Sequence, residues 1–383
     1  MNTYSALLTA YLRDQIAQGQ GAISFAEFMQ TALYHPEWGY YSRLTALGKS
    51  GDFTTAPEIS PLFAQCFGTQ CAAILSMLPD RCILEVGAGS GKFACDLIGS
   101  LKSLGITLSH YYIYEPSPSL EREQKRHINQ QAPEIESLIT WLSALPKDFI
   151  GIIIANEVID ALPVHCFAMT PDGMKERKVV LSHETFTWQV EEPSNTDVKN
   201  VLDQLNHTYH FPMGYASEIN LNVASFLQSL IGAMQQGVIL IADYGYGERE
   251  YYHPERTQGT LSCFHQHNYH SDPFLHIGNQ DITAHVNFTQ LAHLAVDLEA
   301  NLLGFTTQAG FLLGCDLIRW TEKMEHHLND KDCYVLHQAI KTLTLPNAMG
   351  DVIKIMGLSK NMRAITPELL PGFRLQDRRR DLD

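Results

Sequence analysis

Residues 84–97 read LEVGAGSGKFACDL and place three glycines, Gly87, Gly89 and Gly91, directly after an apolar run. Glycine adopts backbone conformations that other residues avoid, and its lack of a side chain lets backbone amides approach a ligand closely. A glycine-rich turn between a strand and a helix is therefore typical of nucleotide binding, and the spacing of the glycines indicates which nucleotide.

Two common nucleotide patterns do not fit this turn. A P-loop requires glycine where Val86 stands and Ser or Thr where Phe93 stands, so a hydroxyl for magnesium is missing. The dinucleotide pattern G-x-G-x-x-G would place its last glycine one residue later, so the helix start is not arranged for a pyrophosphate. These mismatches favour S-adenosylmethionine, which has no phosphate. A tight turn without a ligand is the alternative.

Acidic and aromatic residues on the neighbouring strands extend the predicted cofactor site. Glu85 lies inside an apolar strand, where a bare carboxylate is costly, and would suit a nearby ammonium group. Glu115 ends the strand YYIYE and could bind ribose hydroxyls, although an ordinary strand-end glutamate is the alternative. In ITWLSALP, Trp141 and Leu142 are predicted as an apolar wall for adenine, or Trp141 as a core anchor.

A second group of polar residues follows the apolar run IIIAN. Asn156 and Glu157 stand where this strand ends, and Asp160 comes one helical turn later. The stretch is not the Asn/Asp-Pro-Pro-Tyr/Phe motif of enzymes that methylate amino groups of nucleic acids. Two carboxylates at a strand end suit a planar guanidinium, which binds carboxylates in a bidentate manner. The alternative for Asp160 is a helix cap.

Composition and charge narrow the class of protein. The chain has 383 residues and a formal net charge of −15, from 42 acidic and 27 basic side chains. Binding to a nucleic-acid backbone needs clustered Lys and Arg, so nucleic acid is not an expected partner, whereas a basic protein or peptide is a better match. The sequence shows no apolar run of membrane-spanning length and no signal-peptide pattern, so we expect a cytoplasmic location and no membrane insertion.

Cysteines and histidines do not form a recognisable metal-binding pattern. The eight cysteines include no C-x-x-C pair, which favours reduced, buried thiols. Histidines 265, 267, 270 and 276 follow neither the HExxH pattern nor a Cys/His ribbon pattern. No metal is predicted.

Short apolar runs alternate with helical stretches from residue 80 onwards. Strands are predicted at 82–87, 111–115, 152–156, 238–245 and 351–359. Helices are predicted at 3–19, 24–35, 60–78, 92–105, 119–131 and 217–237. Apolar strands separated by helices are typical of a parallel sheet with helices on both faces, which is a doubly wound α/β fold.

The predicted organisation is a helical N-terminal cap at residues 1–80 and a doubly wound domain at residues 81–383. Two insertions interrupt this domain. Residues 165–216 contain a predicted β-hairpin, and residues 246–300 are rich in Gly, His, Tyr and Pro, which favours a long functional lid. The cap and both insertions are expected to cover the sheet edge where ligands bind in α/β folds.

Several stretches together carry a family resemblance. They are YHPEWGYY, GDFTTAPEISPLF, LEVGAGSGKFACDL, YEPSPSLEREQ, ANEVIDALPV, GYASEIN, ADYGYG, NQDITAHVNF and IKIMGLSK. The sequence resembles the S-adenosylmethionine-dependent methyltransferase family that includes the mitochondrial complex I assembly arginine methyltransferase. The resemblance implies a Rossmann-like methyltransferase fold, an enzyme that uses S-adenosyl-L-methionine, and a protein substrate with a target arginine, either in a subunit of a respiratory NADH dehydrogenase or in another protein.

The resemblance also implies roles for individual residues. It implies that the cofactor binds Gly87, Gly89, Gly91 and Glu115, with residues 51–60, including Thr54, Pro57 and Glu58, placed over it. It implies that Asn156, Glu157 and Asp160 face the substrate arginine. The sequence departs from the family at Ser262, where arginine is expected, and at Ala155, where serine is usual.

The predicted reaction is an in-line transfer of a methyl group to a guanidinium nitrogen, catalysed mainly by positioning. Glu157 would orient the guanidinium, with Asp160 or Glu218 helping or taking the proton. The lid residues Asp281, His285 and Asn287 could close over the site and exclude water. The alternatives are a small-molecule methyltransferase and a cofactor-binding assembly factor without turnover.

Overall fold

The computed structural model describes residues 3–43, 54–362 and 365–383, so Gly51–Phe53 of the predicted cofactor-covering segment lie outside the described residues. The strands are β1 Ala22–Ser24, β2 Cys82–Val86, β3 His110–Tyr114, β4 Ile139–Leu142, β5 Phe149–Asn156, β6 His165–Thr170, β7 Gly173–Ser182, β8 Thr185–Glu191, β9 Ala216–Ile219, β10 Met234–Tyr246, β11 Ser262–His265, β12 Asn268–His270, β13 Asp281–Thr283, β14 Val286–Asn287, β15 Asn301–Thr307 and β16 Ile353–Lys360.

The helices differ widely in length. They are α1 Thr3–Gln18, α2 Phe25–Tyr34, α3 Tyr40–Arg43, α4 Ala56–Ile59, α5 Pro61–Leu75, α6 Lys92–Ser103, α7 Pro118–Gln131, α8 Thr196–Thr208, α9 Asn222–Ala233, α10 Glu248–Tyr251, α11 Phe288–Asp297, α12 Gln308–Gly314, α13 Leu317–Glu325, α14 Asp330–Thr344, α15 Met349–Val352 and α16 Pro371–Arg374. Helix α2 begins at a capping box, in which Ser24 accepts from the Glu27 amide and the Glu27 side chain accepts from Ser24.

The main sheet has the strand order β15-β16-β10-β5-β2-β3-β4. Strands β4, β3, β2, β5 and β10 are parallel, whereas β16 runs antiparallel to both β10 and β15. The chain moves outwards from β2 through β3 to β4 and then returns to the other side of β2 with β5. Ligands of open α/β sheets bind beyond the carboxyl ends of the strands at such a switch point.

Alternate residues of the central strands enter separate apolar layers. Ile83 and Ile152 pack into one layer with α5, α6 and α12, whereas Leu84 and Ile153 pack into the other with α9 and α11. Because helices cover both faces, the strands are apolar throughout rather than alternately polar. The predicted doubly wound α/β fold is confirmed.

Two smaller antiparallel sheets stand beside the main one. The first has the order β1-β7-β6-β9, with β8 paired to β7, and contains the hairpin predicted in the first insertion. The second has the order β12-β11-β13 and lies in the second insertion, where the sequence predicted only a lid. Strand β1 joins the N-terminal segment to the first small sheet, while α5 packs on the main sheet. The division of the chain at residue 80 stays a prediction.

One predicted helix is wrong, and one predicted strand runs in the wrong direction. The helix predicted over 217–237 comprises β9, the shorter helix α9 and the beginning of β10, because Ser217 and Glu218 are buried in pairing with β6. The last predicted strand exists as β16, but it runs antiparallel, and its outer neighbour β15 was not predicted.

Membrane-spanning helices and clusters of metal-binding side chains are both absent from the described ranges. No helix there is long and apolar enough to cross a membrane. The described part of the chain likewise holds no group of three or more His, Cys, Asp or Glu side chains placed to bind a metal ion.

Candidate active site

The glycine turn joins β2 to α6 at the switch point. Gly87, Gly89 and Gly91 have φ angles of 68°, 55° and 83°, which lie in the left-handed region that disfavours residues with a side chain. A Cβ atom on Gly87 would stand 3.1 Å from Val158, so the turn after β5 approaches this backbone closely. These glycines therefore shape a turn whose backbone is open to a ligand.

Two buried glutamates flank the turn. Glu85 is 3% exposed and accepts a hydrogen bond of 2.7 Å from the Tyr111 hydroxyl, and its burial raises its pKa to about 7. Glu115 follows β3 directly and accepts from the Ser117 amide at 3.0 Å. Burial also raises the pKa of Glu115 to about 7. Both carboxylates therefore lie where they could bind a positively charged or hydroxyl-bearing ligand.

Gln124 connects the glycine turn to Glu115. Its fully buried side-chain amide donates to Glu115 Oε2 at 2.9 Å and to the Gly89 carbonyl at 3.1 Å. Its oxygen accepts from the Trp141 indole nitrogen at 3.0 Å. Gln124 was not predicted from the sequence. A single glutamine in a polar helix gives no indication that it connects a glycine turn to the end of a strand.

A cavity of about 530 Å³ opens between the glycine turn, the strand ends and the N-terminal segment. This volume lies within the range typical of cofactor pockets. Of the predicted cofactor and catalytic residues, those that line it are Pro57, Glu58, Glu85, Gly87, Gly89, Glu115, Asn156 and Glu157. Tyr34 and Tyr41 of the N-terminal segment also line it and were not predicted.

This cavity is not lined by four of the predicted cofactor residues, Thr54, Gly91, Trp141 and Leu142. Gly91 instead lies at the start of α6 and faces the backbone of Gln124. The predicted apolar wall is not formed by Trp141 and Leu142, because the Trp141 indole bonds to Gln124 and Leu142 packs in an apolar layer of the main sheet. The apolar lining of the cavity comes from residues that include Leu120, Leu162, Pro163 and Phe226.

A second cavity of about 340 Å³ adjoins the first, and Tyr41 and Glu157 line both. Two predicted residues, Thr54 and Asp160, line only this second cavity. The remaining lining residues come from β10 and from the second insertion: Tyr244, Ser262, Phe264, His267, Asp281, Thr283 and His285. The second cavity is therefore a separate chamber that meets the first at Glu157.

The backbone around Glu157 is held in an unusual conformation. Glu157 has a φ angle of 52°, its amide donates to the Ala242 carbonyl at 2.8 Å, and its Oε1 accepts from the Ala56 amide at 3.1 Å. Residues with such strained angles cluster at functional sites. Asn156 donates to the same Oε1 at 3.5 Å. These contacts direct the carboxylate of Glu157 towards the junction of the cavities.

Asp243 builds the turn that presents Asp160. Its Oδ2 accepts from three successive amides, those of Val158, Ile159 and Asp160, at 3.1, 2.8 and 3.3 Å. Asp243 is fully buried at the end of the parallel part of β10. Sequence analysis did not assign it a role, since the three amides lie more than eighty residues away in the chain.

Glu157, Asp160 and Asp243 carry carboxylates that lie close to one another in a buried region. Burial, followed by repulsion from Asp243, raises the pKa of Asp160 well above its ordinary value. Burial raises the pKa of Glu157 to about 8 and that of Asp243 to about 7. Among the described residues, no Lys, Arg or His forms an ion pair with Glu157 or Asp160. A cation in the second cavity would offset both the cost of burying the charged carboxylates and the repulsion between them.

The second insertion forms one wall of this cavity through alternate residues of two paired strands. Ser262 and Phe264 of β11 pair with Thr283 and Asp281 of β13, and all four line the cavity. Asp281 Oδ1 accepts from the Tyr41 hydroxyl at 2.8 Å, which connects the insertion to the N-terminal segment. The predicted position of Asp281 at the site agrees with this arrangement.

Two other residues with predicted supporting roles lie outside the cavities. Asn287 begins α11 by accepting from the Gln290 amide at 3.2 Å, so its side chain caps a helix. Glu218 is 3% exposed and accepts from the amide and hydroxyl of Thr260 at 3.0 and 3.1 Å. The structure therefore does not place Glu218 where it could take a proton from a substrate.

Comparison with known proteins identifies the family. Residues 66–306 match the model of a family described as S-adenosyl-L-methionine-dependent methyltransferase. The chain belongs to this family. The methyltransferase is also similar to a Burkholderia thailandensis protein crystallised with S-adenosyl-homocysteine, with a TM-score of 0.91, 34% identity, and coverage of 98% of this chain and 96% of that chain. Its cofactor is S-adenosyl-L-methionine.

Curated relatives from animals match most of the methyltransferase. "Protein arginine methyltransferase NDUFAF7, mitochondrial" of Danio rerio is 27% identical over 381 residues, which cover 90% of this chain and 85% of the relative. The corresponding homolog of Drosophila melanogaster is 26% identical over 400 residues, covering 96% and 88%.

The first cavity fits the cofactor chemically. S-adenosyl-L-methionine carries a carboxylate, an ammonium, a sulfonium and a ribose with two hydroxyl groups. The open glycine turn offers backbone amides, Glu85 and Glu58 offer negative charge, and Glu115 offers a hydrogen-bond acceptor at a strand end. The cavity thus supplies a complementary group for each polar part of the cofactor.

Proposed function

We propose that the methyltransferase transfers the methyl group to the side chain of an arginine in a protein. One observation carries this proposal: Glu157 and Asp160, buried without a cationic partner among the described residues, line a chamber that joins the cofactor cavity. A guanidinium is a permanent cation whose planar donors match carboxylates. The animal relatives named as protein arginine methyltransferases support the same substrate class.

In this proposal Glu157 acts at the junction of the two cavities. The cofactor, when bound, supplies a methyl group attached to a positively charged sulfur. Glu157 would hold the guanidinium by two of its N–H groups and turn the third nitrogen towards the cofactor cavity. The side-chain amide of Asn156 donates to Glu157 and so supports its position. Asp160, which also lines the second cavity, would add a second negative charge beside the guanidinium. Catalysis would then depend mainly on orientation.

The insertion and the N-terminal segment would exclude water from the junction. Tyr41 lines both cavities, and its hydroxyl donates to Asp281 on the opposite wall. The backbone amide of Ala284 donates to the Asp160 carbonyl at 2.9 Å, which fixes the insertion against the turn after β5. A site closed in this way strengthens the attraction between the carboxylates and a bound cation.

The support for a particular protein substrate comes from the family resemblance rather than from the cavity. We propose a subunit of a respiratory NADH dehydrogenase as the target. The animal relatives are named as mitochondrial, whereas the cytoplasmic location predicted from this sequence stays a prediction.

A gene deletion tests the proposed function. Arginine methylation in the deletion strain should be compared with that in the parent and in the strain complemented with the wild-type gene, by mass spectrometry of the proteome. At least one arginine should lose its methyl group on deletion and regain it on complementation. Identical arginine methylation in all three strains would contradict the proposal, and a change in methylated small molecules alone would indicate a small-molecule methyltransferase.

Glu115→Ala should weaken cofactor binding at least tenfold. The change removes a charged acceptor proposed to bind two ribose hydroxyls, and each such bond contributes roughly 1.5–3 kcal/mol before relaxation. Isothermal calorimetry with S-adenosyl-homocysteine measures the dissociation constant. Glu134→Ala, an exposed glutamate beyond α7, is the matched control and should bind as wild type does. Wild-type affinity in Glu115→Ala would show that the ribose partner lies elsewhere.

Cofactor affinity should rise with pH up to about 7 and then level off. Burial raises the pKa of Glu85 and Glu115 to about 7 in the cofactor-free protein, so below this pH binding must first remove protons. The affinity gain should approach tenfold per pH unit for each proton released. Calorimetry at pH 5.5, 6.5 and 7.5 measures the dissociation constant of S-adenosyl-homocysteine.

Buffers of different ionisation enthalpy would reveal the released protons directly. The side chain introduced by Glu115→Gln cannot titrate, so this variant should show a weaker dependence on pH, with only the contribution of Glu85 remaining. A dissociation constant that stays the same from pH 5.5 to 7.5 in the wild-type protein would contradict the role of the two carboxylates.

A further inference from the structure

His285 lies between β13 and β14 and lines the second cavity together with Glu157 and Asp160. Its ring makes no hydrogen bond among the described residues, and its Nδ1 is buried without a partner there. A buried polar atom without a partner is uncommon in native structures and calls for an explanation. With Nδ1 buried, Nε2 is the ring nitrogen available to a ligand in the cavity.

The ring is held in place although it makes no side-chain hydrogen bond. Its plane stacks on Tyr244, with centroids 6.0 Å apart and an interplanar angle of 20°. The His285 backbone amide donates to the Thr260 hydroxyl at 3.0 Å, and this hydroxyl donates to Glu218 at 3.1 Å. Glu218 therefore fixes the segment that carries His285, which gives the buried glutamate a positioning role.

We propose that His285 accepts the proton that the arginine guanidinium releases when one of its nitrogens is methylated. This inference rests on the arginine substrate proposed above. A nitrogen lone pair forms the new N–C bond, the C–S bond breaks, and its electron pair stays on sulfur. The methylated nitrogen then carries one proton too many, which passes to His285 Nε2 and from there to solvent.

The surroundings of His285 suit an acceptor that stays neutral until this step. Burial, with the positive charges of Arg256 and Lys354, lowers the pKa of His285 to about 4. Tyr244 and Tyr246 pack against the ring, while Glu157 and Asp160 share its cavity. The two carboxylates hold the positive charge of the guanidinium, whereas Nε2 of the neutral His285 imidazole in the same cavity can accept a proton. Its low pKa then favours rapid release of that proton.

His285→Gln tests this role, because glutamine keeps a polar side chain but does not take up a proton near neutral pH. Single-turnover transfer of labelled methyl to arginine in extract from the deletion strain should fall on the order of 10²-fold. Calorimetric affinity for S-adenosyl-homocysteine should stay within about twofold, since His285 does not line the first cavity. His293→Gln, an exposed histidine of α11, is the matched control and should transfer at the wild-type rate.

A second readout uses the wild-type protein and does not depend on activity. In protein with ¹⁵N-labelled histidine and bound S-adenosyl-homocysteine, NMR should show the His285 Nε2 unprotonated at pH 7. Added methylguanidinium, as a probe of the second cavity, should shift that resonance.

The possible outcomes separate this inference from the proposed function. Unchanged transfer in His285→Gln, or an Nε2 resonance that methylguanidinium leaves in place, overturns the role of His285 alone. Labelled methyl that never reaches arginine even with the wild-type protein overturns both the role and the proposed substrate.

Discussion

Glu157→Gln should reduce single-turnover methyl transfer to arginine on the order of 10²–10⁴-fold, the scale expected for a positioned acid–base group. Glutamine keeps the shape of the side chain but removes the charge that holds the guanidinium at the junction of the cavities. Affinity for S-adenosyl-homocysteine should change little, because the proposed partner of Glu157 is the substrate. Rapid-quench transfer to extract from the deletion strain measures the rate, and calorimetry measures the affinity.

Glu255→Gln provides the matched control for this variant. Glu255 is an exposed glutamate in the second insertion, so the same change there should leave both the rate and the affinity as in wild type. Intact transfer in Glu157→Gln would remove Glu157 from the chemistry and move the proposed role to Asp160. A large loss of cofactor affinity in the same variant would mean that Glu157 serves the first cavity instead.

Gly89→Val should abolish measurable cofactor binding while the protein remains folded. Gly89 has a φ angle of 55° and lines the first cavity, so a branched side chain would both strain the backbone and occupy space beside the cofactor. The Gly89 carbonyl also accepts from Gln124, which connects any shift of the turn to Glu115. Calorimetry with S-adenosyl-homocysteine and a thermal melt followed by circular dichroism measure the two effects.

Gly99→Ala separates the effect of the turn from that of losing a glycine. Gly99 is exposed within α6, and a Cβ atom there would meet nothing within 4 Å. Alanine favours the helix over glycine by about 1 kcal/mol, so this variant should bind normally and melt no lower than wild type. Unchanged affinity in a folded Gly89→Val protein would contradict the assignment of the turn.

The central strands were predictable because each is a short apolar run with its own boundaries. Burial on both faces makes the middle of β2, β5 and β10 largely apolar, which one sequence can show without any knowledge of the neighbouring strands. Strand direction has no such local signature. Strand β16 is buried along nearly its whole length, as the parallel strands are, and only its pairing with β10 and β15 reveals that it runs the other way.

The wrong helix at 217–237 has a similar cause. Its residues have apolar spacing compatible with a helix, and part of the stretch does form α9. The first residues instead pair with β6, and the last residues extend β10 alongside β5. Such pairings with distant strands override local preference, since β structure depends on its cross-strand context.

The candidate site was predictable where residues follow strands directly. Glu115 and Glu157 stand at the ends of β3 and β5, and topology brings the carboxyl ends of parallel strands to the same edge. Gln124, Asp243 and Tyr41 could not be found in this way. Each acts through contacts with residues far along the chain, as Asp243 does with the turn after β5 and Tyr41 with Asp281.

The buried carboxylates also explain why an acidic protein would recognise a basic side chain so selectively. Burial raises the pKa values of Glu157, Asp160 and Asp243, and repulsion from Asp243 raises those of Glu157 and Asp160 further. A neutral side chain would not offset the free-energy cost of burying these negative charges, whereas a guanidinium would offset it. Lysine is also a cation, but a carboxylate binds its ammonium without the bidentate geometry that arginine allows.

Transfer from labelled S-adenosyl-L-methionine tests the central claim most directly. Purified wild-type protein is incubated with extract from the deletion strain, and the labelled proteins are hydrolysed to amino acids and separated by chromatography. The label should appear in methylated arginine, and it should be absent when Glu157→Gln replaces the wild-type protein. Label in another amino acid or only in small molecules, or no label at all from wild-type protein that binds the cofactor, would contradict the assignment as a protein arginine methyltransferase.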